Sequence, residues 1–115
     1  MIYLACPYSH PDPAVRQRRF NQVTQVAARL HTQGKMVFSP ITHSHPIVQA
    51  SNLKWDFETW QALDELMIRA CDRLLVLRLD GWRESHGVEF EISYAQSLGK
   101  PVEYMEWTDP VTSRG

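Results

Sequence analysis

Glycine is scarce where several nucleotide-binding folds require it. Of five glycines in 115 residues, none precedes Gly34. A Walker A loop or a G-x-G-x-x-G turn needs glycines directly after the first strand, so nucleoside triphosphatases and Rossmann dehydrogenases are excluded. No G-x-S-x-G elbow occurs either, which removes the α/β-hydrolase arrangement. Cysteine is limited to Cys6 and Cys71, read as two free thiols in a reducing compartment. Cys6 stands where a phosphatase thiolate would, at the end of a strand, but the nearest downstream arginine is Arg16, too far for a tight phosphate loop. A net charge of -1 supplies no basic field for gripping a nucleic-acid backbone. Small ligands are therefore the expected partners, and polymeric nucleic acid is not. The longest apolar runs, such as residues 74–77, are too short to span a bilayer, and no basic stretch followed by an apolar segment opens the chain. No membrane partner is expected, and the expected location is the cytoplasm.

What is present is an ordinary globular composition, 43% hydrophobic and 22% charged, at the length of one domain with a real core. Residues 1–5 form a short apolar run broken by Pro7 and Pro11, a first strand and its loop. From Pro13 the period changes. Phe20, Val23, Val26, Ala27 and Leu30 share one face, with Arg16, Arg18, Arg19, Gln22 and Gln25 around it, so an amphipathic helix runs to about Gly34. Asp12 and Pro13 supply its cap and first residue. A strand is expected over 35–39, then a loop over 40–54 rich in His, Ser, Pro and Asn, of a length that is usually functional or mobile. A second helix is expected over 55–71, burying Phe57, Trp60, Leu63, Met67 and Ala70 or Cys71. The run 73–79 has no polar alternation, as a strand covered on both faces should. A last helix over 85–98 ends at Gly99, and a final strand covers 101–104.

Strands alternating with helices imply an α/β fold with a parallel sheet covered on both sides. In such sheets ligands bind outside the carboxyl ends of the strands. That edge collects three loops: one carrying Cys6, Pro7 and Ser9, one carrying His43 and His45, and one carrying Ser85, Gly87 and Glu89. One domain over 1–107 is expected, followed by a flexible tail over 108–115.

Glu91 is the sharpest candidate for chemistry. It lies one turn beyond Gly87 and Val88, with Ala95 at i+4, so if Val88 and Ala95 pack on the sheet, Glu91 points inward as well. A buried carboxylate must be paired or functional. Glu89 in the first turn is equally explained by the helix dipole. Asp64 could be solvated, and Asp72 could cap a turn. Tyr3, in the first strand, could be core packing or a catalytic hydroxyl. His10, His43 and His45 include a His-x-His spacing, but loop placement guarantees no ligand geometry, and no metal or cofactor is expected. Trp55, Trp60 and Trp82 are either core rings or part of an oligomer interface.

Met1-Ile2-Tyr3-Leu4-Ala5-Cys6-Pro7-Tyr8-Ser9, residues 34–40, Asp64 through Asp72, Ser85-x-Gly87-x-x-x-Glu91-x-x-x-Ala95 and Gly99-Lys100-Pro101-Val102 occur in that order. The chain resembles the nucleoside 2-deoxyribosyltransferases over about residues 1–104, and a small bacterial branch of that superfamily. The resemblance implies a flavodoxin-like three-layer sandwich with a mainly parallel sheet of four to five strands. It also implies an N-glycosidic enzyme, either a deoxyribosyltransferase or a deoxynucleoside 5′-monophosphate N-hydrolase. Glu91 would be its nucleophile, Tyr3 would hydrogen-bond that carboxylate, and Asp64 or Asp72 would handle the base or shape the site. Ser9 and Ser85 would correspond to phosphate contacts, the partner would be a nucleoside or nucleotide, and the assembly would be a homo-oligomer, a dimer or a multiple of one. The chain departs from the family at Cys6 and Ser93, where glycine is frequent, and in the extra acid Glu89. A non-catalytic nucleotide-binding or sensing module of the same fold is the alternative.

Overall fold

The computed structural model describes residues 1–108. The elements run β1 (Ile2–Ala5), α1 (Pro13–Thr32), β2 (Val37–Phe38), α2 (Pro40–Gln49), α3 (Phe57–Ala70), β3 (Arg73–Arg78), α4 (His86–Ser97) and β4 (Val102–Glu106). The four strands form one sheet in the order β2-β1-β3-β4, and every pairing is parallel. The chain therefore moves outward on one side of β1 and then crosses to the other side for β3 and β4. The reversal falls between β1 and β3, and the crevice above their carboxyl ends is where such sheets take ligands. This is a flavodoxin-like three-layer α/β sandwich with four strands.

All four residues of β1 are buried, which identifies the strand with both faces covered. Its alternation divides the core. Ile2 and Leu4 pack with Val23, Val26, Ala27 and Leu30 of α1. Tyr3 and Ala5 point the other way, into a cluster with Ile68 of α3 and Val88 and Ala95 of α4. The face expected for α1 is observed with one addition. Arg19, expected among its polar residues, is only 8% exposed, because its guanidinium is bound by backbone carbonyls described below.

One expectation is corrected. Residues 40–49 are helical rather than looped. Ser39 stands at the N-cap in an extended conformation and Pro40 is the first helical residue, a position where the missing N–H costs nothing. Pro46 lies inside the helix, which is ordinarily costly. Burial of Ser44 and His45 and the packing of Ile41 on the α1 side of the core offset it. The expected face of α3 is observed with one addition and one choice made: Ile68 is its fully buried residue, and of Ala70 and Cys71 it is Cys71 that is buried while Ala70 is exposed. The tail expected over 108–115 lies outside the described residues except for Thr108.

Candidate active site

Ser85 caps α4 by accepting a hydrogen bond from the Val88 N–H at 3.2 Å. This fixes the helix phase so that Val88, Glu91 and Ala95 share the buried face. Glu91 is 6% exposed. The Tyr3 hydroxyl, 88 residues away in sequence, donates to its Oε2. Tyr3 itself is fully buried, and burial followed by the charge of Glu91 raises its pKa well above the usual phenol value, so it serves as a donor. Burial, with Asp64 second, pushes the Glu91 carboxyl up to about 8, and the Tyr3 hydrogen bond opposes that rise. Burial likewise raises Asp64 to about 7, again opposed by Tyr3. Two carboxyl groups on different helices thus face one phenol and compete for a proton, titrating as a pair rather than as two independent acids.

Glu91 and Asp64 line the floor of a pocket at the carboxyl ends of the strands. Phe57, Trp60 and Asp64 follow at i, i+3 and i+7 along α3, so one stripe of that helix presents two aromatic rings and then a carboxyl group. Trp55 and Asp56, just before α3, complete that wall. Cys6, Tyr8 and Ser9 follow β1, Ile41 and Ser44 stand on α2, and Ser85 and Gly87 stand at the start of α4. The Cys6 thiol is buried, and burial pushes its pKa up. It is an uncharged part of the lining.

The rim is held by buried contacts. Arg19 donates to the carbonyls of Tyr8 at 3.4 Å, Ser9 at 3.2 Å and Asp80 at 2.9 Å, tying the loop after β1 to the loop after β3. Gly81 adopts φ +86, and a Cβ there would lie 2.7 Å from Nη2 of Arg19. Glycine is needed both for the left-handed backbone and for the close approach. Tyr8 is oriented by His45: its hydroxyl lies 2.5 Å from Nδ1, while Nε2 lies 3.0 Å from Oε1 of Gln17. That amide oxygen only accepts, so Nε2 carries the proton and Nδ1 accepts from Tyr8. Burial lowers the His45 pKa, in keeping with a neutral ring stacked 4.3 Å from Phe20.

Several expected site residues lie elsewhere. Asp72 is exposed and pairs at 2.5 Å with the amino group of Met1. It precedes β3 and therefore belongs to the opposite edge of the sheet, away from the cavity. Glu89 is exposed and borders a separate surface depression with Trp82 and Arg83. Pro7 is fully buried and turns the chain behind the lining. His45 acts one step away, through Tyr8. His43 packs against Phe38 and Trp60, with centroids 6.1 and 6.5 Å away. His10 accepts from the Asp12 N–H, so the three histidines hold separate partners. Ser9, Ser85, Gly87 and Cys6 do line the cavity. Trp55 and Trp60, counted as possible interface rings, form its wall. Tyr8, Ser44, Asp56 and Phe57 were not singled out for the site. The i, i+3, i+7 spacing of Phe57, Trp60 and Asp64 was the available signal for the α3 wall.

A family model described as a domain of unknown function, DUF1937, matches residues 1–107. The chain belongs to the DUF1937 family. No protein of curated function matches it. For this DUF1937 chain, the reading of function therefore rests on the cavity and its residues.

Proposed function

We propose that this DUF1937 protein is an N-glycosidic enzyme, a deoxyribosyltransferase or a deoxynucleoside 5′-monophosphate N-hydrolase, with Glu91 as nucleophile at the anomeric carbon. The observation that carries the reading is a single juxtaposition: a buried glutamate, held by a tyrosine hydroxyl and flanked by a second carboxyl group, at the floor of an aromatic-walled cavity over the switch point.

In the first step an oxygen of Glu91 bonds to the anomeric carbon as the carbon–nitrogen bond breaks. The electron pair of that bond goes to the base nitrogen, which takes a proton from Asp64. In the second step water or another base attacks the same carbon. Its proton passes to Asp64, and the pair of the sugar–Glu91 bond returns to the carboxylate. The reactive form holds its proton on Asp64 and leaves Glu91 ionised, and the Tyr3 hydroxyl, which opposes protonation of both carboxyl groups, stabilises the carboxylate it donates to. The two carboxyl groups differ in environment enough to divide the roles of nucleophile and proton donor.

Incubation with mixed deoxynucleosides and their 5′-monophosphates, followed by chromatography for free base, tests this. Glu91→Gln should lower base release at least about a hundredfold while ligand binding and the melting transition persist. Undiminished release from a folded Glu91→Gln protein would end the proposal. One observation favours the second reading, a nucleotide-binding or sensing module: burial keeps a proton on Glu91 near neutrality, which weakens it as a resting nucleophile. Saturable binding with no base released across about pH 6 to 9 would favour that module.

A further inference from the structure

The cavity is unusual in charge. Its lining holds three carboxyl groups, Asp56, Asp64 and Glu91, and no lysine, arginine or histidine. None of the three takes part in an ion pair among the described residues. Asp56 accepts from the Thr59 hydroxyl and Glu91 from Tyr3, so their partners are neutral. Asp56 and Asp64 share the α3 wall with Trp55, Phe57 and Trp60, and Glu91 stands on α4. Carboxyl groups beside aromatic rings are the surroundings in which a flat organic cation is stabilised by charge and by the ring faces together. The protein already contains one such contact at the edge of this site: the Arg16 guanidinium lies 4.5 Å from the centroid of the Trp55 ring. Arg16 is held there by the His10 carbonyl, to which it donates. A phosphate would meet carboxyl groups and no basic side chain in the lining, with the Arg16 guanidinium at its edge already engaged by the His10 carbonyl and the Trp55 ring.

We propose that the pocket selects a phosphate-free N-glycoside whose base is positively charged, a pyridinium or N-alkylated purine nucleoside; this rests on the glycosidic reading of Glu91. The chemistry changes in one respect. When Glu91 bonds to the anomeric carbon and the carbon–nitrogen bond breaks, the departing electron pair neutralises the cationic ring nitrogen, and the base leaves without taking a proton. Asp64 starts this cycle as a carboxylate: water adds to the anomeric carbon, its proton passes to Asp64 and from there to solvent, and the electron pair of the sugar–Glu91 bond returns to Glu91. No co-reactant other than water is consumed.

The test is titration of the protein with nicotinamide riboside, nicotinamide mononucleotide and thymidine, read by quenching of tryptophan fluorescence, with release of free base followed in parallel. Nicotinamide riboside should bind about tenfold more tightly than either of the others, the size of one or two cation–π contacts. Asp56→Asn keeps a residue suited to the start of α3 and should reduce that preference about threefold or more. Equal or tighter binding of the mononucleotide overturns the inference. Release of thymine that depends on Glu91, with no preference for the cation, also overturns it and leaves the glycosidic reading standing. Cation-selective binding with no base released from any probe instead overturns the glycosidic reading and supports the charge selection. No binding of any of the three at millimolar concentration overturns both.

Discussion

Glu91 and Asp64 are acids that the folded state prefers protonated, and this has a measurable sign. Their folded pKa values of about 8 and about 7 lie above the usual carboxylate values of 4.5 and 3.8. The native state therefore binds more protons than the unfolded chain between about pH 4 and 8, and stability falls as pH rises through that window. The favourable contribution is complete below the unfolded values and lost above the folded ones. Melting temperature should decline from about pH 5 to pH 9, and Glu91→Gln, which cannot ionise, should flatten the decline and raise stability at the alkaline end by on the order of a few kcal/mol. A wild-type melting curve independent of pH over that range would mean that the pair is better hydrated than its burial implies. Inward placement of Glu91 was legible because Val88 and Ala95 bracket it at helical spacing. Asp72 was misassigned for a reason also present in the sequence: a residue that precedes a strand sits at its amino end, and in a parallel sheet the ligand edge is the other one.

At the scale of elements, the rim depends on a buried cation held by backbone alone. Arg19 has three carbonyl partners on two loops, and burial lowers its pKa. Arg19→Met should cost about 1–3 kcal/mol, because three carbonyls lose their donor. Gly81→Ala should cost a similar amount, about 1–3 kcal/mol, from the left-handed backbone and the clash with Nη2 of Arg19. Chemical denaturation of both variants checks this; a Gly81→Ala midpoint equal to wild type would show that the loop after β3 relaxes freely. The amphipathic period of α1 made its apolar face readable, but period says nothing about a long polar side chain that reaches back to a loop, so the burial of Arg19 was hidden. Helix α2 was hidden differently. Ser39 and Pro40 are an adequate start signal, but Pro46 and the polar run around it read as loop. Only tertiary burial of His45 and Ser44 tips that segment into a helix.

At the scale of the whole molecule, the parallel sheet was the strongest inference, since alternating β and α segments leave few alternatives once crossovers are right-handed. The number of strands and their parallel sense follow from that logic. The walls of the cavity do not, because they depend on side chains whose faces are set by packing angles between α3 and α4. The same architecture predicts when function returns on refolding. Nucleoside binding, followed by pocket tryptophan fluorescence, should recover with the last kinetic phase, after most helical ellipticity is regained. Binding that returns together with the earliest helical signal would contradict this.

The Tyr3 hydroxyl and the Glu91 carboxyl lie at nearly opposite ends of the chain and meet only after β1 has docked beside β3. A nascent chain that has emerged as far as β3 therefore has its phenol and most of its aromatic wall but lacks Glu91. The pocket is therefore complete only once α4 has been made and has packed beside α3, whatever ligand it takes.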